Sequence, residues 1–426
     1  MSLKKITSIL LCVLLVTGLL AGCGSENKTG PQVSKDKQIT LTYGYWSTTQ
    51  EPTLRKLVDG FEKLHKNVKI KMELTPNKQY WTKLETAATG GTLPDVFWMN
   101  GPNIVKYADG GILMPIDDMV KKDKFDFSNY PEALVNLYTV NGKHYAIPKD
   151  WDVCALWYNK EIFDNAKVPY PDKTWTWDKL REVAKKLTDK SKGIYGIAAH
   201  MDAQPGYYNT ILQAGGFVIS NDRKVSGYDK PETIAGVQFW INLLHDGSSP
   251  TFQQLTDNSS DAIFESGKLA MIYMTSDYLP DFTKNDLIKD KIDIAEMPIG
   301  QKRGTVIHGL GNVIYAKTKH PDMAWEFVKY LGGKEANDIV AESGTVIPAY
   351  KPSLPKYVDY NKGYNVQAFV NALDYASMYP SSKDTSKWSK LETEYFKKVW
   401  AGQMSTEDAC KGLAQDMNKI LQAEGN

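Results

Sequence analysis

The chain has 426 residues, 42% of them apolar and 24% charged, with 51 basic and 50 acidic side chains for a net charge of +1. This composition excludes a disordered chain and a polytopic membrane protein, and the balanced charge leaves no basic field for nucleic acid. The distinctive feature is aromatic: 11 Trp and 24 Tyr stand against 13 Phe. Rings with a polar edge stack and hydrogen-bond at once, which suits half-wet binding surfaces.

Lys4 and Lys5 precede an uncharged, mostly apolar run over residues 6–20, then Leu20-Ala21-Gly22-Cys23. The pattern is that of a secretory leader. The last four residues resemble the lipobox of bacterial lipoproteins, in which cleavage before the Cys leaves it acylated. The expectation is therefore a signal peptide over 1–22 and a lipid on Cys23. The competing reading is an uncleaved membrane anchor, since residues 6–23 are just long enough to span. Residues 23–38 are polar and aperiodic and read as a flexible tether.

From Ile39 strands and helices alternate. Ile39, Leu41, Tyr43 and Tyr45 have the period of a half-buried strand, and Leu54, Leu57, Val58, Phe61 and Leu64 that of an amphipathic helix. Val68, Ile70, Met72 and Leu74 give a second strand, residues 80–88 a helix and 95–99 a short strand. Further strands are expected at 155–158, 269–274, 292–296 and 312–316. Thr176 is the expected N-cap of a helix carrying Leu180, Val183, Ala184 and Leu187. A helix with Ile234, Val237, Ile241 and Leu244 follows, and Pro321 opens another that Gly332-Gly333 closes. The chain ends in helices through Trp388, Leu391 and Val399, then Ala409, Leu413 and Ile420. The alternation argues for an α/β fold with a largely parallel sheet.

Catalytic motifs are missing: no HExxH, no Cys-x-x-Cys, no GxSxG, no Walker A and no GxGxxG. No metal site, cofactor or catalytic residue is expected. Fifty acidic residues could supply the carboxylate pair of a secreted glycoside hydrolase, but spacing along a chain cannot show the separation such a pair needs. Cys154 and Cys410 could pair or stay as lone buried thiols.

Four segments carry a resemblance. They are 93–101 (LPDVFWMNG) with 107–116 (YADGGILMPI); 145–160 (YAIPKDWDVCALWYNK) with 174–180 (TWTWDKL); 262–271 (AIFESGKLAM); and 309–312 (GLGN) with 325–331 (WEFVKYL). In this order, and behind a lipobox, they resemble the extracytoplasmic solute-binding proteins of ABC importers, family 1, the carbohydrate-binding group that includes maltose-binding protein. The resemblance implies a two-lobe, periplasmic-binding-protein-like fold of class II type with the ligand cleft between the lobes. Lobe 1 would be 39–149 plus 310–346 and lobe 2 would be 150–309 plus 347–426. It also implies a carbohydrate ligand, an ABC permease as partner, a monomer, and a place on the outer face of the cytoplasmic membrane through Cys23. A polyamine or an anion is the alternative ligand class; with four Arg in the whole chain, none near the first crossing, the anion is disfavoured.

A sugar presents hydroxyl edges and an apolar ring face, so its site needs carboxylates, amides and aromatic rings on loops that leave the strands. Trp46 ends the first strand and reads equally as a stacking ring or as edge packing. Trp98 and Asn100 fall where the family has a cleft loop, although Trp98 could be core and Asn100 could serve a turn. Asp150, Trp151 and Asp152 stand at the first lobe crossing, where the family carries a ligand carboxylate, and alternation puts both acids on one face. Tyr207 or Tyr208 is expected from a region of family aromatics, with Tyr208 preferred. Tyr278 or Asp277 stands near a family Trp position, with Tyr278 preferred. Gly309 and Gly311 let a ligand or a strand approach. The segment 157–159 reads as core plus turn, and Trp388 as core.

Overall fold

The computed structural model describes residues 38–425. The expected leader, Cys23 and the tether up to residue 37 lie outside them. Ten strands form one sheet: β1 (Ile39–Tyr45), β2 (Val68–Leu74), β3 (Val96–Asn100), β4 (Ala146–Asn159), β5 (Tyr195–Ile197), β6 (Leu269–Thr275), β7 (Ile292–Ala295), β8 (Thr305–Ile314), β9 (Ile347–Pro348) and β10 (Ala376–Met378). The order is β2-β1-β3-β8-β4-β6-β5; β7 and β9 also pair with β4, and β10 with β8.

The expectation of a largely parallel sheet is corrected. The outer pairs β1–β2, β1–β3 and β5–β6 are parallel. The pairs in the middle, β3–β8, β8–β4 and β4–β6, are antiparallel. The reason is β4. Its first half pairs with β8 and, at Asp150 and Trp151, with β9, whereas Cys154 to Tyr158 pair with β6. One 14-residue strand thus belongs to both halves of the sheet, and the returning chain must run against it. Pro148 and three charged or polar residues hide its first half from a periodicity reading, which foresees only 155–158.

Several local signals hold. Leu54, Leu57, Val58 and Phe61 are buried on one face of the helix Glu51–Leu64, each burial stabilising by roughly 1.5–3 kcal/mol, whereas Leu64, expected on the same face, is exposed in the last turn. The Thr176 hydroxyl accepts from the Lys179 amide at 3.3 Å and caps the helix Trp177–Leu187. The helix opened by Pro321 ends at Gly332.

Two apolar cores flank the sheet. Along β4, Ala155 and Trp157 face the first core while Cys154, Leu156 and Tyr158 face the second, as period-2 geometry requires of a strand buried on both sides. The first core runs from Leu41 and Phe61 to Phe369, and the second gathers Leu180, Trp240, Trp388 and Leu413. Cys154 and Cys410 are both buried and free, so the lone-thiol alternative is the one realised. Trp388 is fully buried, as expected.

Candidate functional site

A cleft of ≈ 530 Å³ opens where loops leave the C-terminal ends of β1, β3 and β6 and meet the crossing strands β4, β8 and β9. Such ends are where open α/β sheets place ligands. One wall is neutral: Trp46 to Gln50 follow β1, Asn77 begins a helix, and Asn100 ends β3. The other carries Asp152, Gln204, Ser276, Asp277 and Asp281. Asp150, His308 and Leu310 lie on the strands between them.

The floor is built around a bulge. The register of β4 against β8 slips between Leu310 and Gly311, so Lys149 is the extra residue, and a bulge re-aims its side chain. Lys149 is 6% exposed; its ammonium donates to Gln50 Oε1 at 2.7 Å and to Asp150, and sits 4.2 Å above the Trp98 ring. Burial lowers the Lys149 pKa and the Asp150 charge opposes that shift. Asp150 also accepts from the Leu310 amide at 3.1 Å. Asp152 accepts from the Gln204 amide and lies 3.6 Å from His308 Nδ1. Asp277 meets solvent, yet it stands deep between the walls. That desolvation first, and the Asp152 charge second, push its carboxyl up to about 6.

Of the residues singled out from sequence, Trp46, Asn100, Asp150, Trp151 and Asp152 come together here. Trp46 is half-buried, its ring 4.8 Å from Tyr80 and 5.0 Å from Trp98. Asn100 caps the helix Gly101–Asp109 by position, but its amide oxygen accepts from Asn103 at 2.8 Å. Trp151 is 2% exposed, and its indole donates to the Pro348 carbonyl at 3.0 Å, so it bolts the third crossing to the first.

The others stand behind the cleft. Trp98 is fully buried, donates to the Tyr43 hydroxyl at 2.7 Å and supports Trp46 and Lys149 from below. Tyr208 is buried and donates to Glu392 at 2.9 Å, away from the cleft. Tyr278 packs on Phe282, and its neighbour Asp277 lines the cleft instead. Gly309 and Gly311 take the strand half of their alternative. A Cβ on Gly309 would lie 2.3 Å from the Asp150 carbonyl, and one on Gly311 2.7 Å from Ala146 Cβ.

Sequence reasoning missed Gln50, Gln204, Ser276, Asp281 and His308. One signal was available. In β8 the buried positions Ile307, Gly309 and Gly311 alternate with His308 and Leu310, so placing the glycines against a strand would have turned His308 and Leu310 toward the cleft. A second, larger cavity of ≈ 1020 Å³ is lined by Val306, Ile307, Tyr208 and Met378 among others. It too carries carboxylates and amides, at Glu132, Asp374, Asn136 and Asn221, but none of the loops that follow β1, β3 and β6 lines it, so the smaller cleft is the candidate. Among the described residues no cluster suits a metal ion, and no helix is long and apolar enough to cross a membrane.

Comparison with known proteins gives a consistent result. The family described as bacterial extracellular solute-binding protein matches residues 45–338. A maltotriose-binding protein of Pyrococcus abyssi is 28% identical over 350 residues, covering 79% of this chain and 72% of that one. An arabinooligosaccharide-binding protein of Bacillus subtilis is 24% identical over 352 residues, covering 78% and 77%. An ABC substrate-binding protein of Listeria monocytogenes, solved with cycloalternan, superposes with a TM-score of 0.82 at 26% identity, covering 91% of this chain and 100% of that one.

Proposed function

This chain belongs to the bacterial extracellular solute-binding proteins, and from that premise we propose that it captures a short oligosaccharide and delivers it to the permease of an ABC importer. The observation that carries the reading is the pairing of walls in one cleft: an indole at Trp46 facing carboxylates at Asp152 and Asp277. A pyranose lays its apolar face on the ring and donates its hydroxyls to the acids, each charge-assisted bond contributing roughly 1.5–3 kcal/mol. Two of the relatives are named for oligosaccharide ligands, maltotriose and arabinooligosaccharide. No bond-breaking step belongs to this reading.

The lobes we propose are 39–149 with 310–346, and 150–309 with 347–426. The stretch 347–360 docks on the first lobe, where Ser353 and Lys356 bond Asp338. Three strands cross between them, so closure is a bend of β4, β8 and β9, and a ligand that touches both walls favours the closed form by its differential affinity. We also propose that Cys23 carries the lipid that holds the protein, as a monomer, on the outer face of the membrane. The support is the Leu20 to Cys23 motif, and Cys23→Ser is expected to release the protein from the membrane fraction.

A thermal-shift screen against mono- and oligosaccharides tests the binding claim, since a ligand at a hundredfold excess over its Kd stabilises by about 2.7 kcal/mol. A reducing-end assay on the same sugars tests the absence of hydrolysis. New reducing ends at enzymatic rates, or no shift with any saccharide, would sink the reading.

A further inference from the structure

We propose that the cleft selects a saccharide bearing a protonated amine and rejects acidic saccharides; this rests on the oligosaccharide reading above and sharpens its ligand class. The argument is the uneven compensation of charge. Asp150 has its partner in Lys149 and a backbone amide, and Asp152 has Gln204 and His308. Asp277 and Asp281 line the same wall, are exposed to it, and form no ion pair among the described residues. No Lys or Arg lines the cleft, and the facing wall from Trp46 to Gln50, with Asn77 and Asn100, is neutral. Asp277 feels Asp152, and Asp281 feels Glu265 behind it, so like charges crowd one side of a concave site whose walls focus the field.

A second observation points the same way. Ser276, next to Asp277 in the chain, is 2% exposed and lines the cleft, and its hydroxyl makes no hydrogen bond among the described residues. A ligand ammonium has three donors. It can give two to Asp277 and Asp281 and the third to the free Ser276 oxygen. A neutral hydroxyl has one donor and leaves both acids without a cationic partner, and a carboxylate or phosphate adds a like charge to this wall.

Calorimetry on the full-length protein tests this with matched probes: glucosamine against glucose, the fully de-N-acetylated chitin disaccharide against cellobiose, and glucuronate. The expected result is about tenfold tighter binding of the amine in at least one pair, since the ammonium adds an ion-pair attraction that a sugar hydroxyl bonded to the same carboxylate lacks. That ratio should shrink on adding salt and in the variant combining Asp277→Asn and Asp281→Asn. Both positions are exposed, so the variant is expected to fold. Neutral sugars binding as well as their amines, or glucuronate binding at all competitively, would overturn the proposal and leave the oligosaccharide reading standing. If maltotriose and every probe in the set fail to bind, the oligosaccharide reading fails and takes this one with it.

Discussion

The cleft surface and the layer directly behind it contain the same residue types and use them differently. In front, Trp46 shows a half-buried ring and Asp152 and Asp277 show carboxylates. Behind, Trp98 is sealed against Tyr43 and Lys149, and Glu392 is sealed among Tyr207, Tyr208 and Tyr228. The difference teaches that the recognisable segments are mainly scaffold. The 93–101 segment supplies β3, buried on both faces, and the 309–312 segment supplies glycines that let β8 lie against β4. The ligand-facing groups stand on loops and at the less buried alternate positions of β4 and β8, Asp152, His308 and Leu310 among them, where the fold places fewer constraints on side-chain identity.

Four variants can break this division. The largest effect is expected from Trp98→Ala. It should cost about 3–5 kcal/mol of stability, because it empties a packed aromatic site and removes the donor to the Tyr43 hydroxyl, which keeps only its bond to Asn312. Urea titration of the unliganded protein checks it. A stable variant with weakened binding would move Trp98 to the front layer.

Glu392→Gln comes next. Burial pushes the Glu392 carboxyl up to about 7, against the hydrogen bonds from Tyr228, Tyr208 and Tyr207 that favour its ionised form. With the folded pKa above the unfolded value, the folded state holds the extra proton between about pH 4.5 and 7, and stability falls as pH rises through that window. The wild type should therefore lose up to about 3 kcal/mol relative to the Gln variant between pH 5 and pH 8. Equal pH dependence in denaturant titrations of the two proteins would remove Glu392 as a strained buried acid.

Asp152→Ala should weaken sugar binding by about 1.5–3 kcal/mol, while the unliganded melting temperature moves little. Calorimetry and a melting curve on the same sample separate the two, and a large loss of Tm with intact binding would place Asp152 behind the surface. Trp46→Ala should have the smallest effect, about 1–2 kcal/mol on binding, from lost stacking and ring area. The Trp46 fluorescence change on adding ligand should vanish with it. If Trp46→Ala and Trp98→Ala behave alike, the two-layer picture fails.

The sequence by itself determined the elements whose period matches one buried face. The helix Glu51–Leu64 and the strand Ile39–Tyr45 are read correctly from alternation, and the helix Pro321–Gly332 from its punctuation. It also singled out Asp150 and Asp152, as two acids flanking an indole where the family resemblance puts the first lobe crossing. Tertiary structure decided the rest. Where a strand is buried on both sides, as in β3, alternation vanishes and nothing local distinguishes Trp98 from Trp46. The strand direction in the middle of the sheet follows from β4 serving both halves, which depends on pairings more than a hundred residues apart. Asp277 and Tyr278 stand on the short 3-10 turn after β6, whereas the choice of His308 over Gly309 is one residue of strand register. Only the long-range pairing that turns one face to the cleft sets that register.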